Sequence, residues 1–173
     1  MDREEISKYL LDSDGSTRDI TFTPANRENV LAFMKEIFSG YKSTSLNDNE
    51  GESITPSVEA LESCLNTEEG YIHGVFESNI SLIRNIQVFL DWPEDGKFGV
   101  ELSYFPQDIN SDLFEFDKFF KKIYMWWDKL ESEEIFIRYE NASWEWYNPK
   151  DLGVFYHEKR PNKYFQPTQK TDG

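Results

Sequence analysis

Residues 85–105 read NIQVFLDWPEDGKFGVELSYF, and this stretch decides the fold. Ile86, Val88, Leu90 and Trp92 alternate with polar neighbours, the period of a strand with one buried face. Pro93-Glu94-Asp95-Gly96 follows, and its Asp-Gly pair is a strong hairpin signal because glycine accepts the positive φ that a tight hairpin turn needs. Phe98, Val100, Leu102 and Tyr104 then answer on one face. The two runs predict an antiparallel hairpin. A lone hairpin is not stable in water, so other elements must cover its apolar side.

Those elements are legible on both flanks. After Pro106, Asp112 and Glu115 have the spacing of a capping box, and a helix is predicted from there to about Leu130. Leu113, Phe116, Phe120, Ile123, Trp127 and Leu130 recur at three and four, and Phe119 and Trp126 widen that apolar face. Glu133 to Glu140 reads as a strand with Ile135, Ile137 and Tyr139 inward, and Leu152 to His157 as another through Val154 and Tyr156. Upstream, Tyr71 to Glu77 is a strand, and Ile80 to Ile83 is either a short strand or part of a connection. Residues 2–12 suggest a short helix with Ile6, Leu10 and Leu11 on one side, and Asp19 to Thr23 a strand with Ile20 and Phe22 inward. Pro24 to Ser39 reads as a helix capped by Thr23, stopped at Gly40, and striped by Val30, Phe33, Met34, Ile37 and Phe38. Residues 41–56 are polar and read as a long loop, with a weak helix following from Ser57 to Leu65. The expectation is an α+β fold, a mostly antiparallel sheet with helices packed on it. Residues 1–160 are expected to form one domain, and residues 161–173, with Pro161 and Pro167, an extended or disordered tail.

Composition supports a folded body. The chain has 173 residues, enough for one domain with a real core. Its 16% aromatic content sets it apart from disordered acidic chains, which are poor in aromatics. Cys64 is the single cysteine, which excludes an internal disulfide and a zinc site built from several cysteines. The acidic start, Met1-Asp2-Arg3-Glu4-Glu5, lacks the basic and apolar regions of a signal peptide, and no run of apolar residues is long enough to span a membrane. A cytoplasmic location is expected.

Charge is the second strong feature. The formal net charge is −15. It is uneven: residues 1–110 hold 21 acidic and 8 basic side chains, whereas residues 146–173 are net positive. Asp48, Glu50, Glu52, Glu59, Glu62, Glu68 and Glu69 fall close together, and residues 50–69 contain no Lys or Arg. Such a surface repels nucleic acid and anionic lipid and raises the association rate of cationic partners. The plainer reading of the same charge is solubility.

Catalytic patterns are scarce. The nine glycines are scattered, with no phosphate-binding loop and no nucleophile-elbow serine. Cys64 lies beside Leu61 and Leu65, the setting of an inert buried thiol. His73 and His157 stand far apart on separate strands, and the acidic spacings suggest no metal site. No cofactor, no metal and no enzymatic activity are expected. One alternative remains open. Asp91, Glu101, Ser103, Arg138, Glu140 and His157 are all expected on the polar side of the sheet, where two carboxylates, an arginine and a histidine have the groups for acid–base chemistry. A solvated or ion-paired sheet face explains the same residues. Trp144, Trp146 and Tyr147 stand beside turn residues, as interface anchors or as caps on the core.

The segment VELSYFP at residues 100–106, the aromatic helix after it, and RYENASW at residues 138–144 resemble parts of small bacterial immunity proteins of polymorphic-toxin and contact-dependent growth inhibition systems. The resemblance covers roughly residues 85–158. It implies a cytosolic protein that binds a cognate toxin domain, expected to be a basic nuclease, and blocks its active site. Asp48, Glu50, Glu52, Glu59, Glu62, Glu68 and Glu69 would then steer the toxin, and Trp144, Trp146 and Tyr147 would anchor it. Two other functions compete: an acidic DNA mimic that inhibits DNA-binding proteins, and a small enzyme using Glu101, Arg138, Glu140 and His157. The oligomeric state is left open.

Overall fold

The computed structural model describes residues 2–140 and 153–161. In chain order its elements are α1 (Arg3–Leu11), β1 (Arg18–Ala25), α2 (Arg27–Gly40), β2 (Lys42–Asp48), α3 (Val58–Cys64), β3 (Gly70–Glu77), β4 (Asn85–Trp92), β5 (Phe98–Tyr104), α4 (Phe116–Leu130), β6 (Glu134–Tyr139) and β7 (Val154–Lys159). Among the described residues, seven strands form one sheet in the order β2-β3-β4-β5-β1-β6-β7, and every neighbouring pair is antiparallel. The architecture is α+β. The β4–β5 hairpin is seated as its alternation predicts, with Val88 opposite Leu102 and Leu90 opposite Val100.

Three predicted elements differ. The polar segment after Gly40 holds the edge strand β2, paired to β3 from Lys42↔Glu77 to Asp48↔Ile72. Backbone ladder bonds do not depend on apolar side chains, and Leu46 alone in this strand is buried, so periodicity does not reveal it. Lys42 and the bulge between Ser43 and Ser45 suit an edge that must not recruit another chain. The second difference is the start of α2. β1 runs on through Pro24, with Thr23 opposite Glu134, and the helix cap is Asn26, whose side chain accepts the Asn29 amide at 2.8 Å. The third is α4, which begins at Phe116. Glu115 occupies its N-cap position without a side-chain cap and pairs instead with Lys118 at 2.6 Å, so the Asp112–Glu115 box does not form. Leu113 consequently lies outside the helix and is exposed. Ile80–Ile83 belongs to a connection, with Ile83 bridging to Ile109.

One side of the sheet meets the helices. α2 packs against α4, α3, β2 and β5, α4 against β1, and α1 against β7. Ile20, Phe22, Val100, Leu102, Ile123 and Trp126 are among the fully buried members of this core. Its apolar area removed from water is the main stabilising term. Two features fix the ends of the sheet. The Trp92 ring lies over Gly70, where a Cβ would come within 2.3 Å of Cζ2, so only glycine fits beneath it. Arg18, 0% exposed, ties α1 to β1: its Nε donates to Tyr9 O at 2.7 Å and its Nη2 to Asp12 O at 2.6 Å, and its guanidinium lies 4.1 Å from the Tyr139 ring centroid.

Candidate functional site

Alternation sends the remaining side chains of the strands to the face opposite α1–α4. Register aligns them in rows. His73, Phe89, Glu101, Thr21, Phe136 and His157 form one row across β3, β4, β5, β1, β6 and β7, and Gln87, Ser103, Asp19 and Arg138 form the next.

At the centre lies a polar cluster. Arg138 Nη2 donates to Glu101 Oε2 at 2.8 Å, and Thr21 Oγ1 donates to the same oxygen at 3.3 Å. Asp19 accepts from Thr17 Oγ1 at 3.1 Å and from Ser103 Oγ. Asp19, Thr21, Ser103 and Arg138 are all buried. Burial pushes the Asp19 carboxyl up, against the opposing hydrogen bonds of Ser103 and Thr17. Burial also raises Glu101, with the neighbouring Asp19 charge as the second cause and Arg138 opposing both. Of the polar face expected from sequence, Glu101, Ser103 and Arg138 meet here. Asp19 was missed, although its alternation with Ile20 and Phe22 placed it on this face.

The histidines stand elsewhere. His73 stacks on Phe89 at 4.5 Å and shares a hydrogen bond with Gln87 at 3.0 Å. His157 stacks on Phe136 at 4.4 Å and pairs with Glu134 at 3.1 Å. At about 4.8 Å per strand, His157 is about 14 Å along its row from Glu101, and His73 about 10 Å. Neither histidine contacts Glu101. Glu140 is exposed and accepts the Thr17 amide at 3.4 Å.

The acidic candidates divide by role. Asp48 organises a turn: its Oδ1 accepts the amides of Glu50 and Glu52, both at 2.9 Å, around Gly51 with φ 83°. Glu62 lies 3.7 Å from the Arg27 guanidinium. Glu50, Glu52, Glu59, Glu68 and Glu69 are exposed. Because β2 ends where β3 begins, Asp48, Glu50, Glu52, Glu68 and Glu69 share one end of the sheet. The β4–β5 turn brings Glu94 and Asp95 to that same end, a gathering that sequence separation conceals. Trp144, Trp146 and Tyr147 lie outside the described residues. Cys64 is half-buried, and its thiol is raised by burial and then by the charge of Asp48.

Among the described residues, no group of three or more His, Cys, Asp or Glu converges to hold a metal ion, and no helix is long and apolar enough to cross a membrane. A cleft of 340 Å³ lies between Tyr41, Leu82, Ile83 and Leu113. The two lysines on its lining, Lys118 and Lys122, are paired with Glu115 and Glu36.

No family model matches the sequence, and a search of curated proteins finds no match. One solved structure shares the fold. It is a chain of the 1.75 Å crystal structure of the toxic C-terminal tip of CdiA from Pseudomonas aeruginosa in complex with immune protein, with a TM-score of 0.52 and 13% identity, covering 86% of this chain and 98% of that one.

Proposed function

We propose that this chain is a cytoplasmic immunity protein that binds a cognate toxin domain of a contact-dependent growth inhibition system and blocks its active site. The observation that carries the reading is the fold it shares, over 86% of its length, with a chain of a CdiA toxin–immune protein complex. The charge of −15 supports the same reading, because it suits a basic toxin such as a nuclease. In this reading the exposed carboxylates Glu50, Glu52, Glu68 and Glu69, with Asp48 holding their turn, steer the toxin. Glu59 and Glu62 extend the acidic surface, and Trp144, Trp146 and Tyr147 supply the apolar anchor. Gathering of acid at one end of the sheet fits a single docking site better than the long, regular array of a DNA mimic.

Growth of cells expressing CdiA-type toxin tips, with and without this chain, tests the proposal. Rescue from one toxin tip, with a stoichiometric complex that withstands high salt, is the expected outcome. Absence of rescue across a panel of tips, with no complex formed, would overturn it.

A further inference from the structure

Beside the central polar cluster, the face of β3, β4 and β5 opposite α1–α4 carries a different kind of surface. Tyr71, Phe89 and His73 form a continuous aromatic run, with ring centroids 6.2 Å apart for Tyr71–Phe89 and 4.5 Å for His73–Phe89. Tyr71 is 39% exposed. Register sets Asp91 opposite Tyr71, and Glu101 opposite Phe89. Opposite Asp91 on the other side stands Gly99, and the Asp91 carboxylate folds over it so closely that a Cβ at Gly99 would lie 2.5 Å from Oδ1. Among the described residues no cation pairs with Asp91, whereas Glu101 holds Arg138.

Both halves of this surface call for the same ligand chemistry. Aromatic faces attract a cation through the ring quadrupole, and the adjacent Asp91 carboxylate, with no cation paired to it among the described residues, attracts it through charge, whereas Glu101 already holds Arg138. The carboxylates repel phosphate, which disfavours nucleic acid and anionic lipid. The strip lies on one face of the sheet, so a small free cation would meet it from one side only, while a side chain carried on a larger body gains contacts around it. Helices α1–α4 lie on the opposite side of the sheet. We propose that the strip formed by Tyr71, His73, Phe89, Asp91 and Glu101 receives a lysine or arginine side chain of the protein partner. This rests on the partner-binding function above and names the chemistry and place of one contact.

Gly99 provides a variant that leaves the core alone, since an added methyl meets the end of the Asp91 side chain, which can swing away. Heteronuclear NMR of the whole chain, titrated with an octalysine peptide, reads the contact. The expected result is amide shifts centred on Tyr71, Phe89, Asp91 and Glu101. In Gly99→Ala and in Tyr71→Ala, binding should be about tenfold weaker with the dispersion of a folded spectrum retained. Shifts confined to the Glu50–Glu52 and Glu68–Glu69 turns, or unchanged binding in both variants, would overturn the assignment. Cell rescue from a toxin tip separates the two proposals. If wild type, Gly99→Ala and Tyr71→Ala rescue equally, the strip is wrong and the immunity function stands. If wild type rescues from no toxin yet binds octalysine through the strip, the strip stands and the immunity function fails.

Discussion

Arg138 on β6 reaches over the intervening strand β1 to Glu101 on β5, placing Nη2 2.8 Å from Oε2. Asp19, directly opposite Arg138 on β1, leaves this guanidinium with two carboxylates beside it. Burial raises both carboxyls, and at Glu101 the neighbouring Asp19 charge adds to it while Arg138 opposes.

Removing the cation should therefore cost more than the worth of one surface ion pair. Arg138→Met is expected to lower stability by about 3 kcal/mol at neutral pH, because two carboxylates remain buried without it. Adding Glu101→Gln to Arg138→Met should recover part of the loss, and urea unfolding of the two variants checks it.

The same cluster sets a pH dependence. A carboxyl raised in the folded state holds its proton after the unfolded chain has released it. Its contribution to stability therefore falls as pH rises from the unfolded value of 3.8 for Asp19 through the higher folded one. Asp19→Asn removes this contribution. Its stability relative to wild type should increase as pH rises across that window and level off above it, read from urea midpoints over a pH series. A difference constant with pH would contradict the assignment.

Two tyrosines should behave in opposite ways. The Tyr41 hydroxyl donates to Ile83 O at 2.9 Å, so Tyr41→Phe strands a buried carbonyl and is expected to cost about 1 kcal/mol. The buried Tyr104 hydroxyl has no hydrogen-bond partner among the described residues, and Tyr104→Phe should leave the melting temperature unchanged or raise it. Thermal unfolding of the pair decides.

Arg18→Lys should release α1. The guanidinium serves carbonyls of Tyr9 and Asp12 at once, a fork geometry that an ammonium cannot reproduce. A loss of about 2 kcal/mol is expected, with faster amide exchange confined largely to residues 3–11.

Gly70→Ala and Gly99→Ala form a further contrast. A methyl at Gly70 meets the rigid Trp92 ring and should cost about 2 kcal/mol, whereas at Gly99 it displaces only a carboxylate and should cost far less. Chemical denaturation of both variants measures the difference.

The elements with strong periodicity were legible from the chain: the β4–β5 hairpin, the apolar stripe of α4, and the inward faces of β1 and β6. Their boundaries were less so. At α2 the cap passed from Thr23 to Asn26 because Thr23 was already committed to the ladder opposite Glu134. Strand β2 was hidden because a polar edge strand carries almost no apolar pattern.

By itself, the sequence determined which side of each regular element is apolar, that the charge is strongly negative, and which residues share the polar side of a strand. Those are local properties, written in periods of two and of about 3.6 residues. Only the tertiary structure decided that β1 lies between β5 and β6. That order brings Asp19 to Glu101 and Arg138, and the β2–β3–β4–β5 pairing gathers Glu50, Glu68 and Asp95 at one end of the sheet. Strand pairing is made by backbone groups that every non-proline residue carries, so the choice of neighbour leaves little trace in residue type and is settled by how all the apolar faces pack together.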